Sequence, residues 1–177
     1  PQDIPSDIDF MVHPDWVDYM PAIVAAIAAT SGARLIQAIH HETTATYFVL
    51  ARRYGATLTY LHPDSSSDYR RGSRLWLRAE TVLRNRRRHQ QGFWIPSTAD
   101  AFAYYLIKKI DKGNLNEQQA GQLTARYAED QHACNLVLQT LLPKPEASLI
   151  EAAMRGACTF SALPWSAVNE GMMRLKQ

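Results

Sequence analysis

The residues best suited to chemistry stand near the start of the chain, in Ser6-Asp7-Ile8-Asp9-Phe10-Met11-Val12. Residues two apart on a strand project from one face. A strand here would aim the Asp7 and Asp9 carboxylates at one point while Ile8, Phe10 and Val12 pack elsewhere. Two carboxylates that close repel each other unless a cation sits between them. Mg²⁺ is the natural occupant, because it is held by one or two protein carboxylates with substrate phosphates completing its shell. Taken alone, an Asp-x-Asp triplet is more often a polar strand edge than a metal site, so its surroundings have to decide.

Other residues offer less. Arg84 to His89 crowds Arg84, Arg86, Arg87 and Arg88; a solvated connector is the favoured reading, with phosphate or RNA contact as the alternative. His40 and His41 adjoin Glu42, but they lack the i, i+4 spacing of a helical zinc site and read as a hairpin edge. Trp76, Trp94, Tyr104 and Tyr105 are aromatic enough to stack on a base, although apolar core is the better reading for Trp76 and Tyr105. No Walker A sequence occurs, so the chain itself is no P-loop kinase, and G-x-S-x-G is absent.

The elements that must position these residues follow from periodicity. Ile8 to Val12 is a short apolar run consistent with a buried strand. Pro14 and Asp15 suit a helix start, and Trp16, Val17, Met20, Ile23, Val24 and Ile27 recur at helical spacing until Gly32. Leu35 to Ile39, Thr46 to Leu50 and Thr57 to Leu61 read as strands, the last two joined by a turn at Tyr54-Gly55 into an antiparallel hairpin. Asp64 to Gly72 reads as a loop, Leu75 to Leu77 as a short strand, and a helix follows through Val82 and Leu83. Beyond Arg84–Gln91 the composition shifts to helix. Ser97-Thr98-Ala99-Asp100 matches a capping box, and helices are predicted over 101–112, 116–128, 131–141 and 146–156. The expected plan is a mixed α/β half over residues 1–91 and a helical half over 92–177.

Composition agrees with one ordinary folded protein. At 177 residues with 46% hydrophobic and 20% charged residues, the chain is long enough for a buried core. A net charge of +2 argues by itself for neither nucleic acid nor membrane. Cys134 and Cys158 fall far apart in helical segments, which suggests structural thiols in a reducing cytoplasm. The apolar run Ala22–Ala29 is too short to span a bilayer.

Ser-Asp-Ile-Asp, followed by an apolar run and an amphipathic helix, resembles the nucleotidyltransferase superfamily. Its members carry a Gly-Ser or Gly-Gly turn, a helix, and a strand reading Asp-hydrophobic-Asp-hydrophobic, with a third carboxylate on a neighbouring strand. Asp7 and Asp9 match the paired acids, and Ser6 precedes them at the nucleotide. The Gly-Ser turn would lie upstream of Pro1, so the core is expected to be truncated there. Leu61-His62-Pro63-Asp64-Ser65-Ser66-Ser67-Asp68-Tyr69-Arg70-Arg71 is similar to a stretch in nucleotidyltransferase-like proteins of bacterial polysaccharide clusters, some fused to a thymidylate-kinase-like domain. There the third acid falls four residues before Asp-Tyr-Arg-Arg, at Asp64, with Asp68 the competitor. The strand Thr57–Leu61 should then lie beside the Asp7–Asp9 strand.

The resemblance continues in Gly92-Phe93-Trp94-Ile95-Pro96-Ser97 and in Ala103–Lys109. It implies that Lys108, with Lys109 a close competitor, faces the nucleotide phosphates, where an ammonium suits a triphosphate; a solvated face bearing Lys108, Lys109 and Lys112 is the equal alternative. The implied activity is transfer of a nucleoside monophosphate from a nucleoside triphosphate to an acceptor hydroxyl, with one or two Mg²⁺ ions at Asp7, Asp9 and Asp64. Three alternatives stay open: an Asp-x-Asp glycosyltransferase, a non-catalytic nucleotide-binding module, and one half of a toxin–antitoxin pair. The last would bring a protein partner; a homodimer is also open, and no membrane partner is expected.

Overall fold

The computed structural model describes residues 7–41, 44–71 and 74–175, and the chain divides into two compact units, Pro1–Arg84 and Asn85–Gln177. The architecture is mixed α and β, with a helical C-terminal half.

The first unit is built on a four-stranded sheet in the order β1-β4-β3-β2. These strands are β1 (Asp7–Met11), β2 (Arg34–His41), β3 (Ala45–Tyr54) and β4 (Thr57–Ser66). β1 runs parallel to β4, while β3 is antiparallel to both of its neighbours. The β3–β4 hairpin closes at Tyr54↔Thr57, and Gly55 there takes a φ of 59°, a left-handed conformation that a side chain resists. β4 is longer than its apolar run predicts. It continues through Pro63 and two serines to Ser66, a stretch that the sequence presents as a loop. The ladder accommodates Pro63 by a gap: pairing with β3 runs from Tyr54↔Thr57 to Leu50↔Leu61 and resumes at Tyr47↔Asp64. Proline has no N–H to give at that point. Beyond Pro63 the strand is held on its other side by β1, from Ile8↔Pro63 to Met11↔Ser66.

One face of this sheet carries the core. α1 (Met20–Thr30) lays Met20, Val24 and Ala28 against Phe48 and Leu50, with Phe10, Val12, Ile23, Leu35 and Leu61 packed around them. The periodicity places the helix start earlier, at Pro14. There the chain instead makes a 3-10 turn over Pro14–Tyr19, because Pro21 is best placed at the first turn of a helix, where its missing N–H has no intrahelical acceptor. Trp16, in the 3-10 turn, and Ile27, on the outer side of α1, are both exposed. Ile8 is exposed as well, so of the strand's apolar residues only Phe10 and Val12 join the core cluster. A two-stranded ribbon, β5 (Tyr69–Arg71) with β6 (Arg74–Leu77), and α2 (Ala79–Arg84) complete the unit, and Trp76 is buried.

The second unit opens with a small hairpin, β7 (Arg87–Arg88) and β8 (Trp94–Ile95), where the charged run reads as a plain connector. Helices follow: α3 (Thr98–Lys112), α4 (Glu117–Glu129), α5 (Gln131–Leu141), α6 (Lys144–Met154) and α7 (Trp165–Leu175). Their ends follow the capping residues. Ser97 accepts from the Asp100 N–H at the start of α3, and Gly113 closes it in a left-handed conformation, φ 68°. Phe102, Leu106, Ile107 and Ile110 recur at helical spacing on one face of α3, and all are fully buried.

Both cysteines are free thiols. Cys134 is completely buried on α5, and burial, then the charges of Asp130 and Glu129, push its thiol up to about 11. The thiolate is the reactive form. At pH 8 a disulfide-exchange reagent should therefore label Cys158 in the native protein and reach Cys134 only after denaturation; rapid labelling of both in the folded state would contradict this burial.

Candidate functional site

The parallel β1–β4 pairing determines which acids meet. Asp9 stands directly opposite Asp64, and Asp64 in turn stands opposite Tyr47 of β3, which faces Ile39 of β2. Side chains alternate along strands and match across them, so Asp9, Asp64, Tyr47 and Ile39 share one face. It is the face opposite the one that α1 covers. Neighbouring strands lie about 4.8 Å apart, which brings the Asp9 and Asp64 positions within reach of a common ion. Asp7 pairs with His62 two residues earlier on the same ladder. Its backbone belongs to β1, while its side chain lies outside the described residues, and so does Ser6 altogether.

Asp64 is half-buried and not isolated. His41 Nε2 lies 3.2 Å from its Oδ1, a hydrogen bond when that nitrogen carries the proton. His41 comes from the far end of β2, and the β2–β3 register His41↔Ala45 puts it on the same face. Tyr47 and His62, on either side of Asp64 along that face, place their rings 5.6 Å apart at 36°. The open face thus combines carboxylates, two imidazoles and a phenol ring. The sequence reads the His40–His41 pair as a hairpin edge. His40 does turn to the other face and bonds the buried Thr46 hydroxyl at 2.9 Å, but His41 belongs to the acidic face. Strand alternation between adjacent histidines was the available signal.

Asp68 has a different task. Its Oδ1 accepts from the Ala79 N–H at 3.0 Å, at the start of α2, and its Oδ2 lies 3.4 Å from the Arg70 guanidinium. First-turn N–H groups have no partner within their helix, so this carboxylate holds α2 to the end of the β4 segment.

The donor set suits Mg²⁺. Asp9 and Asp64 are hard oxygen ligands on adjacent strands, and Mg²⁺ takes one or two protein carboxylates and completes its octahedron with phosphate and water. Among the described residues, no group of three or more His, Cys, Asp or Glu is placed to hold a metal ion unaided.

Lys108 and Lys109 lie in the second unit. The Lys108 ammonium donates to the Tyr104 hydroxyl at 3.4 Å and sits 5.4 Å from that ring. Lys109 is buried, with its ammonium 4.9 Å from the Tyr105 ring. Burial, helped by Lys112 and Lys108, holds it below the usual lysine range. Tyr105 is a partly exposed ring bracketed by Lys109 and Arg126, not a core residue, and its hydroxyl donates to Gln122 at 2.7 Å. Its amphipathic body packs while its polar tip keeps a partner, which an apolar-core reading overlooks.

No known family model, curated protein or solved structure matches the chain. Among the described residues, no helix is long and apolar enough to cross a membrane.

Proposed function

We propose that the first unit is a metal-dependent nucleotidyltransferase-type site, which binds a nucleoside triphosphate with Mg²⁺ and transfers the nucleoside monophosphate to an acceptor hydroxyl. One observation carries this reading: Asp64 stands opposite Asp9 on a parallel neighbouring strand, with Asp7 two residues before. Two acids that face each other from adjacent strands on one open sheet face support the Asp-x-Asp reading.

In this reading Asp7 and Asp9 hold the ion, and Asp64 completes the acidic set or takes the acceptor's proton. Mg²⁺ held there would supply charge neutralisation for the triphosphate. The acceptor oxygen bonds to the α-phosphorus, the α–β phosphoanhydride bond breaks, and pyrophosphate leaves with the bonding pair. With one Asp64 oxygen engaged by His41, the carboxyl group is held in a fixed orientation toward the incoming hydroxyl. The partly exposed rings of Tyr47 and His62 offer a face for a planar group beside the charged end.

A ligand that binds only the folded state stabilises it by mass action, by about 2.7 kcal/mol at a hundredfold excess over Kd. Melting scans across the four common triphosphates should show a rise of several degrees for at least one, dependent on Mg²⁺ and absent with EDTA. A flat response to all four would rule out this site. It would favour a module that keeps the fold without the activity.

A further inference from the structure

The β7–β8 hairpin of the second unit concentrates positive charge and exposed rings in a way that the nucleotide site does not use. From Asn85 to Ala99 the chain carries three arginines and one histidine and not one acidic residue. The hairpin is tightly closed. The His89 N–H donates to the Phe93 carbonyl at 2.8 Å and the Gly92 N–H to the His89 carbonyl at 2.9 Å, and Gly92 takes a φ of 91°. Arg87 anchors it to α4 through Glu129 at 3.2 Å. The other two arginines lie over an aromatic ring: Arg86 is 4.8 Å and Arg88 5.7 Å from the centre of Trp94, which is 55% exposed. On the loop, Phe93 stacks on His89 at 4.4 Å and is itself 49% exposed.

A four-residue ladder holds two large rings half in solvent beside the arginines. A guanidinium stacked on a ring is pre-organised, so it loses less freedom when its planar fork binds phosphate. Aromatic faces interleaved with guanidinium groups are the chemistry that takes single-stranded nucleic acid, bases on rings and phosphates on cations. An anionic membrane also attracts basic residues, but an interfacial anchor buries aliphatic side chains as well. The exposed apolar groups of this hairpin are two rings, each stacked against a cation or an imidazole.

We propose that the β7–β8 hairpin binds single-stranded nucleic acid, with Trp94 and Phe93 as stacking faces and Arg86 and Arg88 as phosphate-binding groups. The inference does not depend on the nucleotidyltransferase reading, since no residue of the β1–β4 face takes part.

Fluorescence anisotropy of the full chain tests it, with a labelled twelve-nucleotide RNA, the DNA of the same sequence, the corresponding duplex, and phosphatidylserine–phosphatidylcholine vesicles as a separate arm. Either single strand should bind more tightly than the duplex. Trp94→Ala should weaken binding about tenfold, whereas Trp94→Phe should retain most of it. The double variant Arg86→Gln/Arg88→Gln should lower the slope of log Kd against log salt by about 1.4, roughly 0.7 for each phosphate that is no longer neutralised on a single strand. The charge-matched double variant Arg155→Gln/Arg174→Gln should leave that slope unchanged, and circular dichroism checks that each variant folds. The proposal is overturned by binding to neither strand, by a duplex bound as tightly as a strand, by hairpin variants that match the control, or by vesicle binding that these variants abolish while neither strand binds.

Discussion

Asp64→Asn should abolish Mg²⁺-dependent nucleotide binding and leave the melting temperature nearly unchanged, while Asp68→Ala, four residues on, should do the reverse. The first substitution preserves shape and removes one charge. Its partner among the described residues is His41, whose side chain is 45% exposed, and exposed pairs of this kind contribute under about 1 kcal/mol. On the proposed reading the substitution removes a hard carboxylate ligand beside Asp9, and Mg²⁺-dependent affinity should fall at least as far as the roughly 10–100-fold lost with outer-shell partners. Asp68→Ala instead takes the acceptor from the Ala79 N–H and the partner from Arg70. Leaving a partly buried donor unsatisfied costs about 1–3 kcal/mol, read as a lower urea midpoint for the first unit. Isothermal titration with Mg²⁺ and a triphosphate, paired with urea melts of both variants, separates the two. If Asp68→Ala lost nucleotide affinity and Asp64→Asn kept it, the third ligand would move to Asp68. If neither mattered but Asp7→Asn did, the site would hold two acids only and bind without catalysing.

The acidic strand, the β3–β4 hairpin and the ends of α3 are legible in the sequence because they rest on short-range rules, whereas the expectation that β4 lies beside β1 comes from the resemblance. Alternation puts Asp7 and Asp9 in step, the Tyr54-Gly55 turn fixes the β3–β4 hairpin, and Ser97 and Gly113 mark the ends of α3 by their capping chemistry. What stays hidden there depends on long-range register. Pro63 and the serines argue against a strand by local propensity, yet β1 pairs with that stretch and carries β4 on to Ser66. This is tertiary pairing overriding a local preference. His41 reaches Asp64 from 23 residues away through two ladders, which no spacing rule exposes. The shift of α1 to Met20 has a local cause in Pro21, although hydrophobic periodicity runs straight through it from Trp16. The Arg84–His89 run reads as a connector because charge alone does not reveal that Trp94, six residues after Arg88, returns to meet it.

Phe48→Ala should be among the most damaging single changes in the first unit, lowering its stability by about 3–5 kcal/mol, whereas Ile39→Ala should fall within about 0.5 kcal/mol of the parent. Phe48 is fully buried at the centre of the α1-facing cluster with Met20, Val24, Ala28 and Leu50. Its partner across β2 is Ala38, and on the β4 side it meets the gap in the ladder at Pro63. Neither small neighbour nor interrupted ladder can collapse far enough to refill the volume of a lost phenyl ring, so the cost belongs at the upper end of the large-to-small range. Ile39 lies on the face of the carboxylates, two strands from Asp64 and away from the Phe48 cluster, and is 41% exposed, so trimming it leaves no cavity. The comparison bears on function as well as folding. A nucleotide can reach Asp9 and Asp64 only if the face they share stays open to solvent. Urea unfolding followed by circular dichroism measures both variants. If Ile39→Ala cost as much as Phe48→Ala, that face would be packed in solution, and a substrate site on it could not stand.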